Sequence, residues 1–196
     1  MYANLLANTK RHELQVLHDD GLYRHLRFKE PGTTIWYFDI STWPGSLTIR
    51  GDIGKGYTFT RADDMIAWFT HNRAPGTINA QYWAEKLEAS CQTARRYEHD
   101  AFHSSGRVDI EAWDLSHDDQ ERALSEWQEA VDACDPWPTA ALECAGEFRF
   151  VDSAGTAHQF ADVGEWELDD WDFHFLLACH AIHHASLKYL EMRDAS

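Results

Sequence analysis

The stretch from Tyr37 to Arg61, YFDISTWPGSLTIRGDIGKGYTFTR, constrains the fold more than any other part of the chain. It contains three runs in which apolar and polar residues alternate, which is the pattern of half-buried β-strands. Between the first two runs lies Trp43-Pro44-Gly45-Ser46, with Pro and Gly at the positions that a type II turn requires. The glycine-rich run Gly51–Gly56 separates the second strand from the third. The stretch therefore predicts two consecutive antiparallel hairpins.

The preceding residues continue this pattern. Runs at 13–18 and 22–29 flank the turn Asp19-Asp20-Gly21, and Leu22, Leu26 and Phe28 share one face. The next run, 34–41, places Trp36, Phe38 and Ile40 on one side. The sequence thus predicts an antiparallel meander of about four or five strands over about 13–60.

From Thr60 onwards the apolar period is that of a helix. We predict a helix that starts at a capping box on Thr60, a long one over 80–102 capped by Asn79, one over 117–134 capped by Ser116, a short one near 139–145, and a last one from Asp170 to about Met192. A small hairpin is predicted around Ser153-Ala154-Gly155. Because the last helix is apolar on two sides, we expect it to be central.

These elements predict a single α+β domain over residues 1–196. An N-terminal antiparallel β-meander packs against C-terminal helices, which occupy about 61–196, and the long final helix lies in the centre. The chain contains no internal repeat and no linker-like segment that would separate two domains.

The charge is distributed unevenly along the chain. Residues 1–107 hold 13 of the 17 Lys and Arg residues and 12 of the 33 Asp and Glu residues, a net charge of +1. Residues 108–196 hold the other 4 and 21, a net charge of −17, and so account for the whole net charge of −16. Such a field attracts basic protein surfaces and repels nucleic acid. We expect a basic protein or a nucleoprotein complex as the partner and no direct binding to nucleic acid. The alternative is a surface that only keeps the protein soluble.

Several classes of protein are disfavoured. No apolar run reaches the length of a membrane span, and the N-terminal residues contain no basic leader, so we expect a cytosolic protein without membrane contact. The four cysteines, Cys91, Cys134, Cys144 and Cys179, form no C-x-x-C pair and predict reduced, mostly buried thiols. The run Gly51–Gly56 is not a P-loop, because Lys55 is followed by Gly56 and a strand.

The last helix contains the best metal-ligand spacing. His180 and His184 are four residues apart on one helical face, which allows two imidazoles to share a metal ion. Glu191 lies about 10 Å farther along the axis at 1.5 Å per residue, too far to join them. We therefore predict satisfied core histidines, with no metal and no cofactor, and keep a metal site at His180 and His184 as the alternative.

The segment 162–173, DVGEWELDDWDF, mixes carboxylates with tryptophans. Interfaces that grip Arg and Lys or imitate phosphates and stacked bases use this combination. We predict an interaction surface formed by Glu165, Trp166, Glu167, Asp169, Asp170 and Asp172. The alternatives are acid–base catalysis by paired carboxylates and, for Asp169, Asp170 and Asp172, capping of the final helix.

The second predicted strand carries a competing signal, which indicates nucleic-acid binding. Tyr23, His25, Arg27 and Lys29 alternate with the core positions of the 22–29 run and would form a basic, aromatic strip. Such strips hold single-stranded nucleic acid. A solvated strand face explains the same pattern.

The motifs around the hairpins also resemble those of a family of uncharacterised proteins encoded by bacteriophages and prophages. The resemblance rests on a Trp-Pro-Gly turn, a Gly-Asp-x-Gly hairpin and an Asn-x-x-Tyr-Trp helix start, here Trp43-Pro44-Gly45, Gly51-Asp52-Ile53-Gly54 and Asn79 with Tyr82 and Trp83. The chain departs from the family at Lys55-Gly56, where a shorter turn is expected. The resemblance implies a phage origin but transfers no activity and no site residue.

Three functional hypotheses follow. The first is a phage-encoded acidic interaction protein that inhibits a host defence system in the host cytosol, such as a CRISPR or restriction complex, as a nucleic-acid mimic. The second is a small-ligand, nucleotide or metal-handling protein, with or without enzymatic activity, that uses a pocket between the sheet and the final helix. The third is a nucleic-acid accessory protein. We expect an interaction protein rather than an enzyme.

Overall fold

The computed structural model describes residues 1–88 and 94–195. The chain divides into two compact units, of which unit 1 comprises Met1–Ala94 and Trp171–Ser196 and unit 2 comprises Arg95–Asp170. Cys91, predicted as a buried thiol, lies outside the described residues. The α+β class is confirmed, and the assignment of residues 1–196 to one domain stays a prediction.

Unit 1 contains the predicted meander. Five antiparallel strands pair in sequence order, and their bounds are β1 Glu13–Asp20, β2 Tyr23–Lys29, β3 Phe38–Trp43, β4 Ser46–Gly51 and β5 Tyr57–Thr60. The third strand is shorter than predicted, because Trp36 has a φ of +58° and leaves the extended conformation. The two consecutive hairpins are confirmed.

The turn between β3 and β4 has the predicted backbone geometry. Trp43 pairs with Ser46, and Gly45 has a φ of +84°, a backbone angle that residues with a Cβ rarely adopt. The turn is also tied to the chain after β5, because Arg61 N donates to Gly45 O at 3.0 Å and Gly45 N donates to Asp63 O at 3.2 Å.

The helices of unit 1 surround one core. They are α1 Tyr2–Asn8, which was not predicted, α2 Met65–Phe69, α3 Ala80–Ala84 and α7 Phe173–Asp194. Twelve residues of α7 are buried, and nine of them share a hydrophobic cluster with the inner face of the sheet. The central position of the final helix is confirmed. The pocket predicted between this helix and the sheet, as part of the second functional hypothesis, stays a prediction.

The first predicted helix cap is wrong. Thr60 still pairs with Ser46 in the sheet, so the chain leaves the strand before it turns into α2. Asp64 is the N-cap instead, and its carboxylate accepts hydrogen bonds from Ile66 N and Ala67 N.

The long helix predicted over 80–102 is also wrong. Only Ala80–Ala84 is helical at its start, with Asn79 as the predicted cap. The following residues run along the edge of β5, where Thr60 N donates to Lys86 O at 2.8 Å and Glu88 N donates to Thr58 O at 3.0 Å. Pairing with an open strand edge has overridden the helical period.

Unit 2 contains three helices and short strands. They are β6 Arg95–Tyr97, α4 His99–Ala112, α5 His117–Ala133, α6 Pro138–Glu147, β7 Arg149–Val151, β8 Ala157–Gln159 and β9 Asp169–Trp171, whose last residue belongs to unit 1. The Ser116 cap is confirmed, because its hydroxyl accepts from Asp119 N. The predicted hairpin is confirmed as β7 and β8, and Trp127 lies fully buried in the core.

Candidate functional site

Four carboxylates of the predicted surface lie at the surface of unit 2. Glu165 ends a 3-10 turn, Val163–Glu165, and all four side chains are exposed: Glu165, Glu167, Asp169 and Asp170. We name these four residues the acidic loop. Within the described part of the chain, Glu165, Glu167 and Asp169 form no salt bridge, so their charges face solvent without a basic partner.

Trp166 packs partly into the core of unit 2. Its ring lies 4.9 Å from that of Phe160 and 6.1 Å from that of Trp127, and its Nε1 donates to Asp109 Oδ2 at 3.2 Å. The half-buried indole therefore anchors the acidic loop to the core of unit 2. Its role as an aromatic contact for a partner stays a prediction.

Asp172 does not belong to the surface. Its side chain is 2% exposed, lies in unit 1 and caps α7 by accepting from His174 N and Phe175 N. Burial alone would raise its pKa, but the Phe175 N–H, the Lys55 charge at 3.5 Å and the Tyr57 hydroxyl hold the pKa of Asp172 below its ordinary value. The capping alternative is correct for Asp172, whereas Asp169 and Asp170 belong to β9 and the helix begins only at Phe173.

A second group of carboxylates lies on α5, which sequence reasoning did not single out. We name this group the acidic helix face: Asp118, Glu121, Glu129 and Asp132. At 3.6 residues per turn, these four residues fall within about 80° of the helix circumference and span about 21 Å of its axis. All four are exposed, whereas Ala123, Trp127 and Val131 are buried. The three- and eight-residue spacing of these acids was the signal that could have revealed the face.

The two groups belong to a strongly acidic unit. Unit 2 contains five Lys or Arg and twenty Asp or Glu residues, a net charge of −15, and sixteen of the twenty acids are exposed. Unit 1 contains twelve basic and thirteen acidic residues, a net charge of −1. The charge asymmetry of the sequence is thus an asymmetry between the two units.

The buried acid of unit 2 is structural. Asp119 is 4% exposed, accepts from the Ser153 hydroxyl at 2.7 Å and from Ser153 N at 3.1 Å, and pairs with Arg122 at 2.7 Å. These interactions lower the pKa of Asp119, and the hydrogen bond from the Ser153 hydroxyl has the largest effect. The network ties the β7–β8 hairpin to the start of α5.

Of the two candidate metal ligands, His180 is buried and His184 is half-buried. His180 is buried, and burial, with the N-terminal amino group and His183 acting in the same direction, lowers the pKa of its imidazole to about 4. His184 Nδ1 lies 3.2 Å from the Tyr2 hydroxyl. Within residues 1–88 and 94–195, no three His, Cys, Asp or Glu side chains are grouped so that they could hold a metal ion.

The basic strip on β2 is partly neutralised. Arg27 binds Asp39 through two hydrogen bonds of 2.7 and 2.8 Å, and His25 Nε2 lies 3.4 Å from the same carboxylate. The Arg27 hydrogen bond is the main reason why the pKa of Asp39 is lowered. The strip therefore presents less free positive charge than its sequence indicates.

Comparison with protein-family models, with curated proteins and with solved structures found no match for this chain. Within the described residues, no helix has both the length and the apolar character needed to cross a membrane.

Proposed function

We propose that this chain is an acidic interaction protein that uses unit 2 to occupy a basic, nucleic-acid-binding surface of another protein. The observation that carries the proposal is the net charge of −15 on unit 2, most of it on exposed side chains. A surface of this kind attracts the same basic side chains that bind phosphates.

The distribution of the charges also supports a role in recognition. Trp166 lies on the side of α5 that faces the core, because its ring contacts Trp127, whereas the acidic helix face points to the opposite side. The acidic loop is held by an anchored indole and the acidic helix face by a 17-residue helix. Because both groups are already held in place, binding costs less conformational entropy than it would for a flexible segment.

The resemblance to phage proteins leads to a more specific form of the proposal. In this form, the partner is a nucleic-acid-binding component of a host defence system, such as a CRISPR or restriction complex, and binding in the host cytosol inhibits it. The inhibitor acts by competition with nucleic acid, without a catalytic step.

The experiment is an affinity capture from lysate of a host that carries defence systems, at about 0.15 M and 1 M salt, where the Debye length is about 8 Å and 3 Å. The baits are the parent, a loop variant (Glu165→Lys, Glu167→Lys, Asp169→Lys), a helix-face variant (Glu121→Lys, Glu129→Lys, Asp132→Lys) and a unit 1 control (Glu13→Lys, Asp20→Lys, Asp63→Lys). The control residues are exposed and, within the described residues, form no salt bridge.

We expect a nucleic-acid-binding protein that is captured at the lower salt by the parent and by the unit 1 control, and that the loop or helix-face variant captures at least tenfold less. Equal capture by all four baits would contradict the proposal. A partner that remains bound at 1 M salt would also contradict it, because the attraction is electrostatic.

A further inference from the structure

A cavity of about 870 Å³ lies in unit 1, beside α2, α3 and the loop that connects them. Its volume is within the range of roughly 300 to 1,000 Å³ that is usual for small-molecule sites. The acidic surfaces of unit 2 do not contribute to its lining, so the proposed function does not account for it.

Aromatic rings form the walls of the cavity. Trp68 lies 5.6 Å from Tyr82 and 6.1 Å from Trp83, measured between ring centroids, and Trp171 adds a further ring. Trp83 is held against Phe69 at 4.6 Å, and Trp171 stacks on Phe175 at 5.7 Å. Packing from behind fixes these rings, and fixed rings offer flat surfaces on which a planar molecule can stack.

Two asparagines supply directed polar groups. Asn72 Oδ1 accepts from Ala74 N at 3.0 Å, and Asn79 Oδ1 accepts from Tyr82 N at 3.2 Å. Because a backbone N–H can donate only to the oxygen of the amide, these bonds fix the orientation of both side chains and leave their NH₂ groups as donors. His183 Nε2, 2.9 Å from Asn72 O, holds the loop in place. The cavity therefore offers hydrogen-bond donors beside aromatic walls.

The lining is almost free of charge. Among the described residues it contains no Asp, Glu, Lys or Arg, and its ionisable side chains are those of His71 and Tyr82. A site for a phosphate needs cations, and a site for a quaternary ammonium gains from a carboxylate beside the rings. Lys86 lies over the Tyr82 ring and Arg61 donates to the Tyr82 hydroxyl, but neither is a lining residue. Because the described lining itself contains neither a permanent cation nor a carboxylate, it matches an uncharged molecule.

We propose that this cavity binds a small, uncharged heteroaromatic molecule that carries hydrogen-bond acceptors on its rim, of the kind that a free nucleobase represents. The rings stack on its faces, and the NH₂ groups of Asn72 and Asn79 donate to its ring nitrogens or carbonyl oxygens. The Asn-x-x-Tyr-Trp segment thus has two roles, since Asn79 caps α3 while Asn79, Tyr82 and Trp83 all line the cavity.

The test is calorimetric titration of the full chain with adenine and, separately, with cytosine, choline and glucose. Asn79→Asp keeps the capping oxygen but replaces the NH₂ donor by a charged acceptor, and Asn4→Asp makes the same change on α1, outside the cavity. Trp68→Leu removes a stacking wall, and Trp43→Leu removes an indole from the β3–β4 turn. Circular dichroism verifies that each variant is folded.

We expect saturable binding of adenine or cytosine that weakens about tenfold or more in Asn79→Asp and in Trp68→Leu and is unchanged in the two controls. In nuclear magnetic resonance spectra of the parent, the same ligand should shift the indole N–H signals of Trp68 and Trp83 but not that of Trp127. Absence of saturable binding by both bases, binding of choline or glucose instead, equal losses in the controls, or shifts centred on Trp127 would each overturn the proposal.

Discussion

Gly106→Ala tests how the core of unit 2 is built. Gly106 is a buried residue of α4, and a Cβ on it would lie 2.5 Å from Cζ2 and 2.6 Å from Nε1 of Trp127 on α5. Ordinary contacts to a Cβ are 3.4 to 4 Å, so the indole would have to move by about 1 Å. The glycine is thus the residue that allows the tryptophan to lie against α4.

Trp127 has little space for such a movement. It is fully buried, its ring centroid lies 4.9 Å from that of Phe160 and 5.0 Å from that of Phe102, and its Nε1 donates to His103 O at 3.0 Å. Overpacking costs about 1 to 3 kcal/mol, and loss of the hydrogen bond about 1 kcal/mol more. Alanine gains about 1 kcal/mol over glycine in helix propensity. The free energy of unfolding should therefore fall by about 1 to 3 kcal/mol.

The assay is urea unfolding followed by far-ultraviolet circular dichroism, with Gly146→Ala as the matched control. Gly146 lies in α6, and a Cβ there would have no neighbour within 4 Å, so alanine should raise the free energy of unfolding by about 0.5 to 1 kcal/mol. If Gly106→Ala were as stable as the parent, or if both variants changed in the same direction, the packing argument would be refuted.

Two further predictions concern unit 1. Gly45→Val places a β-branched residue at a φ of +84° and should lower the free energy of unfolding by about 1 to 3 kcal/mol, although its Cβ would meet no neighbour; an unchanged melting temperature would count against the turn geometry. The folded pKa of about 4 at His180 lies below the ordinary histidine value of 6.5, so the unfolded chain binds more protons and stability falls as the pH falls from about 6.5 to 4, by up to about 3 kcal/mol. His180→Leu should reduce the loss of stability at acid pH, whereas His117→Leu, at an exposed position, should not. Equal acid sensitivity of the two variants would contradict the assignment of this loss to His180.

The strands and the final helix were predictable because local pattern and tertiary structure agree there. Residues 37–61 combine period-two alternation with turn residues that fit their backbone positions, and Gly45 has the positive φ that its turn requires. The final helix is apolar on two sides, and twelve of its 22 residues are buried, as this pattern indicates.

The long second helix was not predictable from local pattern. Residues 80–102 have a helical apolar period, but Lys86 and Glu88 pair with the open edge of β5, and the helical propensity of the segment cannot reveal that edge. The start of α7 was misplaced for a related reason, because Asp169 and Asp170 pair as a strand before Asp172 caps the helix.

The candidate site was predicted in part. Glu165, Glu167, Asp169 and Asp170 are exposed as expected from their charge. The sequence could not distinguish them from Asp172, which has the same side chain but is buried beneath a helix N-terminus. The aromatic cavity was missed because one of its walls, Trp171, is far in sequence from α2 and α3, which form the others.

The most direct test of the central claim is a competition measurement with the partner captured by the parent. A fluorescent DNA or RNA fragment is bound to that partner at 0.15 M salt, and its displacement is followed by fluorescence polarisation as the protein is added. The account predicts complete displacement by the parent and by the unit 1 control, and at least tenfold weaker displacement by the loop or the helix-face variant. A ternary complex in which the partner holds nucleic acid and this protein together, or equal displacement by all variants, would contradict it.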